Sequence, residues 1–306
     1  MTYGKGGGQG GFGSVYKGKL SDGTVVAVKL LNSAKGSGEE FINEVAGISR
    51  TSHINIVTLL GFCYERRKRA LIYEFMPNGS LDSFSHNDNA RSDLRLGWEK
   101  LAIGMARGLE YLHRGCNTRI LHLDIKPQNI ILDNDFNPKI SDFGLSKLCL
   151  KRESIVSMFA ARVTGGYIAP EVFSRSFGRV SYKSDVYSYG MMLIEMIGGR
   201  NDLNVGTDQS SEVYFSDQVY KLIEQGYDRD LHGELKEEEE EIARKMALVG
   251  VWCIQTDPTQ SPSMSRVIDM LEGSLETANS TEAIIVFSPW ITKRYFSIGI
   301  TIALVF

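Results

Sequence analysis

Residues 120–132 constrain this chain more than any other segment, because they place charged and polar side chains inside an apolar sequence. The segment reads Ile-Leu-His-Leu-Asp-Ile-Lys-Pro-Gln-Asn-Ile-Ile-Leu, with His122, Asp124, Lys126 and Asn129 between its apolar ends. The apolar ends predict two buried strands that hold the polar loop from both sides. A loop with so many polar groups has little structural purpose, so we interpret it as a reactive site and not as a surface connection.

A glycine-rich string near the start of the chain, GQGGFGSV at residues 8–15, indicates a second site. Its spaced members are Gly8, Gly10, Gly13 and Val15. Glycines let the backbone approach phosphate groups closely, so that N–H groups meet the oxygens. A dinucleotide-dependent oxidoreductase would use a similar string, but that fingerprint opens a helix. Residues 14–20 alternate as a strand instead, and Ser21-Asp-Gly-Thr24 is typical of a hairpin turn.

Lys29 lies within a predicted buried strand, residues 25–31, where a charge is costly unless it is paired. A lysine at the edge of a strand that reaches solvent would be the simplest alternative. However, Glu44 follows in a segment whose apolar residues repeat at helical spacing, and from there it could face Lys29. Such a pair would hold the ammonium group on the α- and β-phosphates of a nucleotide.

A second carboxylate follows the polar loop, in Ile140-Ser-Asp142-Phe-Gly144. Read alone, Asp142 would belong to an Asp-x-Gly turn. Together with the loop it suggests phosphoryl transfer, because Asp142 and Asn129 could hold Mg²⁺. Asp124 could then accept the proton of an attacking hydroxyl, and Lys126 could neutralise the moving phosphoryl group.

Two further strings, Ala169-Pro-Glu171 and Ser184-Asp-Val-Tyr-Ser-Tyr-Gly190, could each be a turn or a helix cap when taken alone. In order along the chain, however, all these motifs resemble the signature set of eukaryotic protein kinases, from about Gly8 to about Leu271. The resemblance implies an α+β, bilobal fold with a small antiparallel β-sheet lobe and a larger, mainly helical lobe. It also implies ATP and Mg²⁺ as cofactors, and protein substrates.

The resemblance sets the expected domain limits. We expect a kinase domain at residues 1–273, with the small lobe at about 1–75 and the large lobe at about 77–273. Residues 274–306 would form an atypical apolar tail. The sequence places Lys126 two residues after Asp124, which is similar to the serine/threonine class of protein kinases.

Several strings narrow the resemblance to plant receptor-like kinases of the leaf-rust-resistance-like and thaumatin-domain group. They are EEFINE at 39–44, GFC at 61–63, ALIYEFMPNGSL at 70–81, NPKISDFG at 137–144 and VWCIQ at 251–255. The resemblance implies that Tyr73 is the gatekeeper residue, and that Glu74 to Met76 form the hinge that meets adenine through backbone groups. It further implies receptor co-kinases as partners and the cytoplasmic face of the plasma membrane as the location of a full-length receptor.

Charge and cysteine content exclude other classes. With 34 basic and 37 acidic residues the net charge is −3, so no positive field exists to hold a nucleic acid. Four scattered cysteines contain no Cys-x-x-Cys pair, which favours a reduced, cytoplasmic compartment over a zinc site or a disulfide framework. The first residues lack the apolar core of a signal peptide.

Two departures from the family pattern lie near the predicted site. Leu123 stands where many kinases have arginine, so an activation-segment phosphate would have one fewer cation to pair with. Related receptors share this trait, which therefore does not imply inactivity. Gly7 replaces an aliphatic residue before the glycine loop and weakens the first strand, which puts ATP affinity in doubt. The candidate phosphorylation positions are Ser146, Ser154, Ser157 and Thr164.

Two more departures lie in the predicted activation segment and the large lobe. Val163 replaces a family glycine just ahead of Thr164, the residue expected to bond Asp124 and Lys126. Ser261 stands where the family has an arginine that pairs with Glu171. Breaking a buried pair costs about 3–5 kcal/mol, so the large lobe is expected to be weakened unless another cation substitutes.

The apolar tail from Ala283 onwards is unlike the polar tail of the family. Its last uncharged run, residues 295–306, is shorter than the roughly 20 residues that a bilayer span needs. We interpret it as a β-prone segment or an aberrant end of the chain, with a weak membrane anchor as the functional alternative. The leading hypothesis for the whole chain is an active serine/threonine kinase, and the alternative is a catalytically weak or inactive kinase-fold scaffold.

Overall fold

The computed structural model describes residues 9–10, 13–31, 38–65, 68–85, 97–149, 166–173, 175–198 and 237–274. Of the predicted tail, residues 274–306, only Ser274 lies within these ranges. Gly7, Gly8 and Val163 lie outside them. No helix within the described ranges is long and apolar enough to cross a bilayer.

The small lobe is built on a five-stranded antiparallel sheet in the order β1-β2-β3-β5-β4. Its strands and its helix α1 have the following bounds: β1 Gln9–Gly10, β2 Gly13–Lys19, β3 Val25–Leu31, α1 Gly38–Ile48, β4 Leu59–Glu65 and β5 Lys68–Glu74. The turn between β2 and β3 forms as predicted, since Leu20 N donates to Thr24 O and Gly23 adopts φ 93°.

Apolar side chains cover both faces of this sheet. On one face, Phe41 and Ile48 of α1 are buried together with Leu71 of β5. On the other, Val26, Val28 and Ala70 form a separate small cluster. Because side chains alternate along a strand, Ala27 and Lys29 face α1, between the buried valines of the opposite face.

The large lobe is mainly helical. Its helices are α2 Asp82–Ser85, α3 Trp98–Glu110, α4 Pro170–Phe173, α5 Tyr182–Gly198, α6 Glu237–Cys253 and α7 Met264–Glu272. Its short strands are β6 Arg119–Leu121, β7 Ile130–Leu132, β8 Pro138–Ile140 and β9 Lys147–Cys149. The strand β6 pairs with β9 and β7 pairs with β8, all antiparallel.

One helix of the large lobe ends differently from the sequence prediction. The helical spacing of Leu101, Met105, Leu109 and Leu112 predicts a helix over residues 98–113, but the chain is α-helical only to Glu110 and continues as a π turn, Tyr111–Gly115. The acidic run at residues 237–241 is predicted to lie at the start of a helix, and the helix α6 begins at Glu237. Negative charge is favourable there because the N-terminus of a helix carries a partial positive charge.

Helices α5 and α6 pack against each other more closely than ordinary side chains would allow. A Cβ atom on Gly190 of α5 would lie 2.8 Å from Gly250 O and 2.6 Å from Cys253 Cβ, both on α6. Glycine at this crossing therefore brings the two backbones together. The close contact fixes α5, which supports the loop at residues 122–129.

Candidate active site

Lys29 is the centre of a buried charge cluster that joins three elements. Its Nζ lies 3.1 and 3.0 Å from the two carboxylate oxygens of Glu44 on α1. It also lies 2.7 Å from Asp142 Oδ1, which follows β8. The predicted contact between Lys29 and Glu44 is therefore present, and Asp142 adds a second carboxylate that the strand and helix patterns did not predict.

Tyr73 adds a hydrogen bond to this cluster. Its hydroxyl donates to Glu44 Oε1, and its side chain is buried. The predicted gatekeeper position therefore holds the carboxylate that in turn holds Lys29. The sequence indicated this contact only through a hydroxyl group at the end of a predicted buried strand. It did not identify Glu44 as the partner of Tyr73.

Burial and charge act in opposite directions in this cluster. Burial alone would lower the pKa of Lys29, but Asp142 and Glu44 outweigh burial and raise it. Burial would likewise raise the pKa of Asp142, yet the Lys29 ammonium outweighs this and lowers it. For Glu44, burial raises the pKa and Lys29 opposes the shift. Lys29 and Asp142 are thus charged at neutral pH, so a cation is fixed between the two carboxylates.

The predicted catalytic loop brings its three functional side chains together. Lys126 Nζ lies 2.9 Å from Asp124 Oδ1, and Asn129 Nδ2 lies 2.8 Å from both Asp124 Oδ2 and Asp124 O. Burial raises the pKa of Asp124, and Lys126 opposes this shift without cancelling it. The carboxylate is therefore oriented by two donors, and its basicity is increased as a proton acceptor requires.

Asp185 of α5 holds the backbone of this loop. Its carboxylate accepts from His122 N at 2.9 Å and from Leu123 N at 2.7 Å. It also accepts from the ring of His113, at 2.9 Å. These bonds maintain Leu123 at φ 62°, a strained conformation for a residue with a side chain. From the sequence, Asp185 was a possible helix cap, and this role was missed. An acid within an otherwise apolar helix was the available signal for it.

His122 connects the loop to the segment that carries Asp142. Its Nδ1 accepts from Asp124 N at 3.2 Å, so its Nε2 carries the hydrogen and donates to Ser141 O at 3.0 Å. Its ring also meets Phe143 edge to face at 4.9 Å. Asp142 itself has φ 64°. The two predicted carboxylates, Asp124 and Asp142, are therefore held in one rigid unit.

The glycine-rich loop is described in part. Gly10 and Gly13 pair between β1 and β2, while Gly8 lies outside the described residues. Val15 pairs with Lys29 across β2 and β3, and its side chain is exposed. The predicted strand–loop–strand hairpin is confirmed, and the dinucleotide alternative fails because no helix follows the glycines.

The predicted hinge begins where β5 ends. Glu74 N donates to Thr58 O, so this amide is not available to a ligand. The Glu74 carboxylate accepts from Thr58 N at 2.8 Å and from Lys139 Nζ at 2.9 Å. Met76 follows in an irregular segment and is half-buried. The hinge is thus tied both to the sheet and to β8, the strand that leads to Asp142.

Two clefts open beside these residues. One is lined by Lys29, Glu44, Asp124 and Asp142. The other is lined by Asp124 and Lys126 on one side and by residues 167–169 on the other. Asp124 therefore borders both clefts.

Glu171 differs from the carboxylates above, since no cation among the described residues lies within ion-pair distance of it. Its carboxylate is buried and accepts from Ser184 Oγ at 2.6 Å. Burial raises the pKa of Glu171, and the Ser184 hydroxyl opposes the shift. Ser261, at the position of the family arginine, donates to Cys253 O instead. Lys183 donates to the carbonyls of Ser261 and Pro262, and so does not substitute for that arginine.

The candidate phosphorylation positions have different outcomes. Ser154, Ser157 and Thr164 lie outside the described residues. Ser146 is buried, and its hydroxyl donates to Asn43 O at 3.4 Å. A Cβ atom on Gly47 would come within 2.7 Å of Ser146 Oγ, so a phosphate does not fit at this position.

The donor set suits a hard cation that keeps other ligands. Both amide hydrogens of Asn129 go to Asp124, which leaves its side-chain oxygen as an acceptor, and Ser141, the neighbour of Asp142, donates to the backbone carbonyl of Asn129. Within the described residues, no group of three or more histidine, cysteine, aspartate or glutamate side chains could hold a metal ion.

Comparison with known proteins agrees with this geometry. A family model described as the protein kinase domain matches residues 3–271. The chain is 56% identical over 289 residues to the PR5-like receptor kinase of Arabidopsis thaliana, which covers 92% of this chain and 43% of that protein. It is 58% identical over 273 residues to the leaf rust 10 disease-resistance locus receptor-like protein kinase-like 2.1 of the same plant, covering 88% and 43%.

A third relative, the Arabidopsis protein Suppressor of NPR1-1 Constitutive 4, is 56% identical over 276 residues, which cover 88% of this chain and 24% of that protein. The chain spans less than half the length of these relatives. The matches confirm the resemblance that the motifs indicated, including the receptor-like kinase group.

Proposed function

The chain belongs to the protein kinase family, and we propose that it transfers the γ-phosphoryl group of ATP to serine and threonine hydroxyls of proteins. Use of ATP and a divalent cation comes with the family. The observation that carries the proposal is the convergence of Lys29, Glu44 and Asp142 from three separate elements, next to the Asp124 loop. Within this proposal, the kinase domain occupies residues 1–273.

On the nucleotide side, Lys29 would hold the α- and β-phosphates, with Glu44 as its positioning partner and Tyr73 behind Glu44. The loop of Gly8, Gly10 and Gly13 would cover the phosphates, and Val15 would cover the base. The hinge would bind adenine through the Glu74 carbonyl and the Met76 backbone. The Glu74 amide is excluded from this role, because it already donates to Thr58 O.

Asp142 and the amide oxygen of Asn129 would hold the divalent cation, which we propose is Mg²⁺. Oxygen donors of this kind, few in number and shared with phosphates, are those that Mg²⁺ prefers. When bound, the ion neutralises charge on the phosphate oxygens. The short contact between Lys29 and Asp142 leaves one carboxylate oxygen of Asp142 for this purpose.

For the transfer step, we assign Asp124 as the group that orients the acceptor hydroxyl and takes its proton. The hydroxyl oxygen forms the new bond to the γ-phosphorus, the bond to the β-phosphate oxygen breaks, and ADP leaves with that electron pair. Lys126 lies 2.9 Å from Asp124 and would neutralise the phosphoryl group in flight. The cleft bounded by residues 167–169 would receive the acceptor segment.

The remaining assignments concern the activation segment and the whole protein. We propose that Ser154, Ser157 and Thr164 belong to this segment, with Glu171 fixing its far end through Ser184. Lys126, two residues after Asp124, supports serine/threonine specificity. The names of the relatives, receptor kinase and receptor-like protein kinase, support a role in a receptor-like protein. On that basis we propose the cytoplasmic face of the plasma membrane as its location and receptor co-kinases as partners.

An assay with radiolabelled ATP, Mg²⁺ and a generic protein substrate tests this function. We expect Asp124→Asn to lower phosphate incorporation by at least about 100-fold, because the amide cannot accept the proton. Asp135→Asn, in an exposed turn, is the matched control and should keep full activity. Undiminished incorporation in Asp124→Asn would contradict the assignment, and phosphotyrosine as the main product would contradict the specificity.

A thermal shift with Mg-ATP separates this function from the scaffold alternative. A chain that binds nucleotide when it is folded but not when it is unfolded gains about 2.7 kcal/mol of stability at a free ligand concentration of 100 Kd. We therefore expect a clear rise in Tm at millimolar Mg-ATP. An unchanged Tm would favour a non-catalytic kinase-fold scaffold.

A further inference from the structure

The helix α1 lies directly on residues 143–146, which follow Asp142 and begin with a single 3₁₀ turn. Asn43 Nδ2 donates to Gly144 O at 3.4 Å, and Ser146 Oγ donates to Asn43 O at 3.4 Å. Asn43 thus meets this segment with both its side chain and its backbone. The position of α1 is therefore linked to the position of the segment that comes directly after a proposed metal ligand.

Gly47 is the point of closest approach between α1 and this segment. It lies four residues after Asn43, on the same side of the helix, and it is buried. A Cβ atom on Gly47 would lie 2.7 Å from Ser146 Oγ and 3.3 Å from Phe143 Cδ1, whereas ordinary contacts begin at 3.4 Å. Ser146 and Phe143 are only 2% and 0% exposed, so neither side chain has open space into which it could move. The absence of a side chain at Gly47 therefore allows the contact.

A methyl group at Gly47 would force the two elements apart. Relief of the closest contact, from 2.7 Å to the ordinary 3.4 Å, requires a movement of about 0.7 Å in a close-packed interior. Glu44 is three residues away, about 4.5 Å along the axis, so a movement of the helix at Gly47 also moves Glu44. The distances from Lys29 Nζ to the Glu44 carboxylate are 3.1 and 3.0 Å, and such bonds weaken as they lengthen beyond about 3.2 Å. The contact with Lys29 therefore tolerates less movement than the methyl group would cause.

We propose that Gly47 is a positioning residue for phosphoryl transfer. It lets α1 lie directly on residues 143–146 and thereby holds Glu44 in contact with Lys29. A larger residue would move α1 away from this segment without unfolding it, since alanine favours the helix more than glycine does. The inference rests on the proposed function, because the contact between Lys29 and Glu44 matters to the reaction only if Lys29 binds the phosphates.

Gly47→Ala tests this inference, with Gly38→Ala as the matched control. Both variants replace glycine by alanine in α1, but a Cβ atom on Gly38 would lie 3.5 Å from Arg69 Nη2, an ordinary contact distance. We expect Gly47→Ala to lower kcat for protein phosphorylation by at least about tenfold, because a misplacement of about 1 Å can cost about 100-fold in rate. Gly38→Ala should keep the kcat of the wild type.

Removal of the opposing oxygen should reverse the loss. Ser146→Ala deletes the atom that the new methyl group would meet, so Gly47→Ala/Ser146→Ala should recover kcat to within about threefold of Ser146→Ala alone. Crystal structures supply a measurement that does not depend on activity. In Gly47→Ala we expect the distances between Lys29 Nζ and the Glu44 carboxylate to exceed about 3.5 Å, and in the double variant we expect them to return to about 3 Å.

Three outcomes would overturn the inference. The first is a Gly47→Ala protein with the kcat of the wild type or with an unchanged Lys29–Glu44 contact. The second is a double variant as inactive as Gly47→Ala, and the third is an equal loss in Gly38→Ala. A wild type without kinase activity would instead contradict the proposed function, and the Lys29–Glu44 distances would still test the role of Gly47. Thermal unfolding of each variant verifies that it is folded.

Discussion

Two of the sites in this protein that hold buried or half-buried carboxylates differ in whether a cation lies in contact. Glu44 and Asp142 surround Lys29 at 2.7 to 3.1 Å. Glu171 has only the Ser184 hydroxyl as a side-chain partner within the described residues, because Ser261 occupies the position of the family arginine. The first site lines the cleft, and the second lies in the large lobe.

The comparison separates two uses of buried charge. In the proposed mechanism the ion pairs of the cleft orient groups that meet a phosphate, so loss of either partner would affect the proposed reaction directly. At Glu171 the carboxylate only connects the end of the proposed activation segment to α5. The Ser184 hydroxyl maintains this contact without a second charge. The carboxylates are therefore paired with a cation at the site proposed for chemistry, and the carboxylate that only connects two elements is not.

Removal of the cleft cation should produce the largest effect. Lys29→Met would leave Glu44 and Asp142 buried without a cation, so we expect activity to fall by at least about 100-fold and Tm to fall as well. Lys19→Met, at the exposed end of β2, serves as the control and should change neither quantity. If Lys29→Met kept both activity and Tm, the cluster would not be the essential site.

Addition of a cation at the second site should produce the next effect. Ser261→Arg supplies the missing partner of Glu171, and we expect a gain of up to about 3 kcal/mol, or roughly 5–10 °C in Tm by calorimetry. The double variant Ser261→Arg/Glu171→Gln removes the carboxylate that the arginine would meet. The single variant Glu171→Gln is the reference for this double variant, and an equal rise in Tm when Ser261→Arg is added to Glu171→Gln would show that the gain does not come from the pair.

The unpaired carboxylate should also make stability depend on pH. Because burial raises the folded-state pKa of Glu171, its contribution is present below the unfolded pKa and is lost as pH rises through the folded value. Glu171→Gln avoids this loss, so it should be more stable than the wild type by about 2–4 °C at neutral pH. The difference should vanish near pH 4. A difference that is constant with pH would refute this account.

The smallest effect should come from Tyr73. Tyr73→Phe removes one hydrogen bond to Glu44 but keeps the ring, while both Lys29 contacts remain. We expect a three- to tenfold lower kcat/KM for ATP, equivalent to roughly 1 kcal/mol. Tyr64→Phe, on exposed β4, should behave as the wild type. A loss as large as that of Lys29→Met would mean that Tyr73 itself contacts the nucleotide.

Much of the fold was predictable because local patterns are strong there. The strand Val25–Leu31 has its predicted bounds, since its apolar residues and flanking turn leave no other register. The apolar ends of the catalytic loop form β6 and β7 as expected. The exception is the helix that continues as a π turn after Glu110, because no local preference distinguishes α from π geometry there.

The site was predictable in its members but not in its connections. Motif order identified Lys29, Glu44, Asp124 and Asp142, and the contact between Lys29 and Glu44 is present. The contact of Lys29 with Asp142 spans 113 residues, and that of Leu123 with Asp185 spans 62. Separations of this size leave no periodic trace in a single sequence, so the supporting bonds were not visible.

By itself the sequence determined the kinase motifs, the alternation of small-lobe strands, and the absence of an arginine at Ser261. Only the tertiary structure decided that Asp142 shares Lys29 with Glu44, that Asp185 holds Leu123 in a strained conformation, and that Glu171 lacks a cation within the described residues. The physical reason is that side-chain chemistry and local periodicity are written residue by residue. The pairing of charges in a low-dielectric interior instead depends on which distant elements the core brings together.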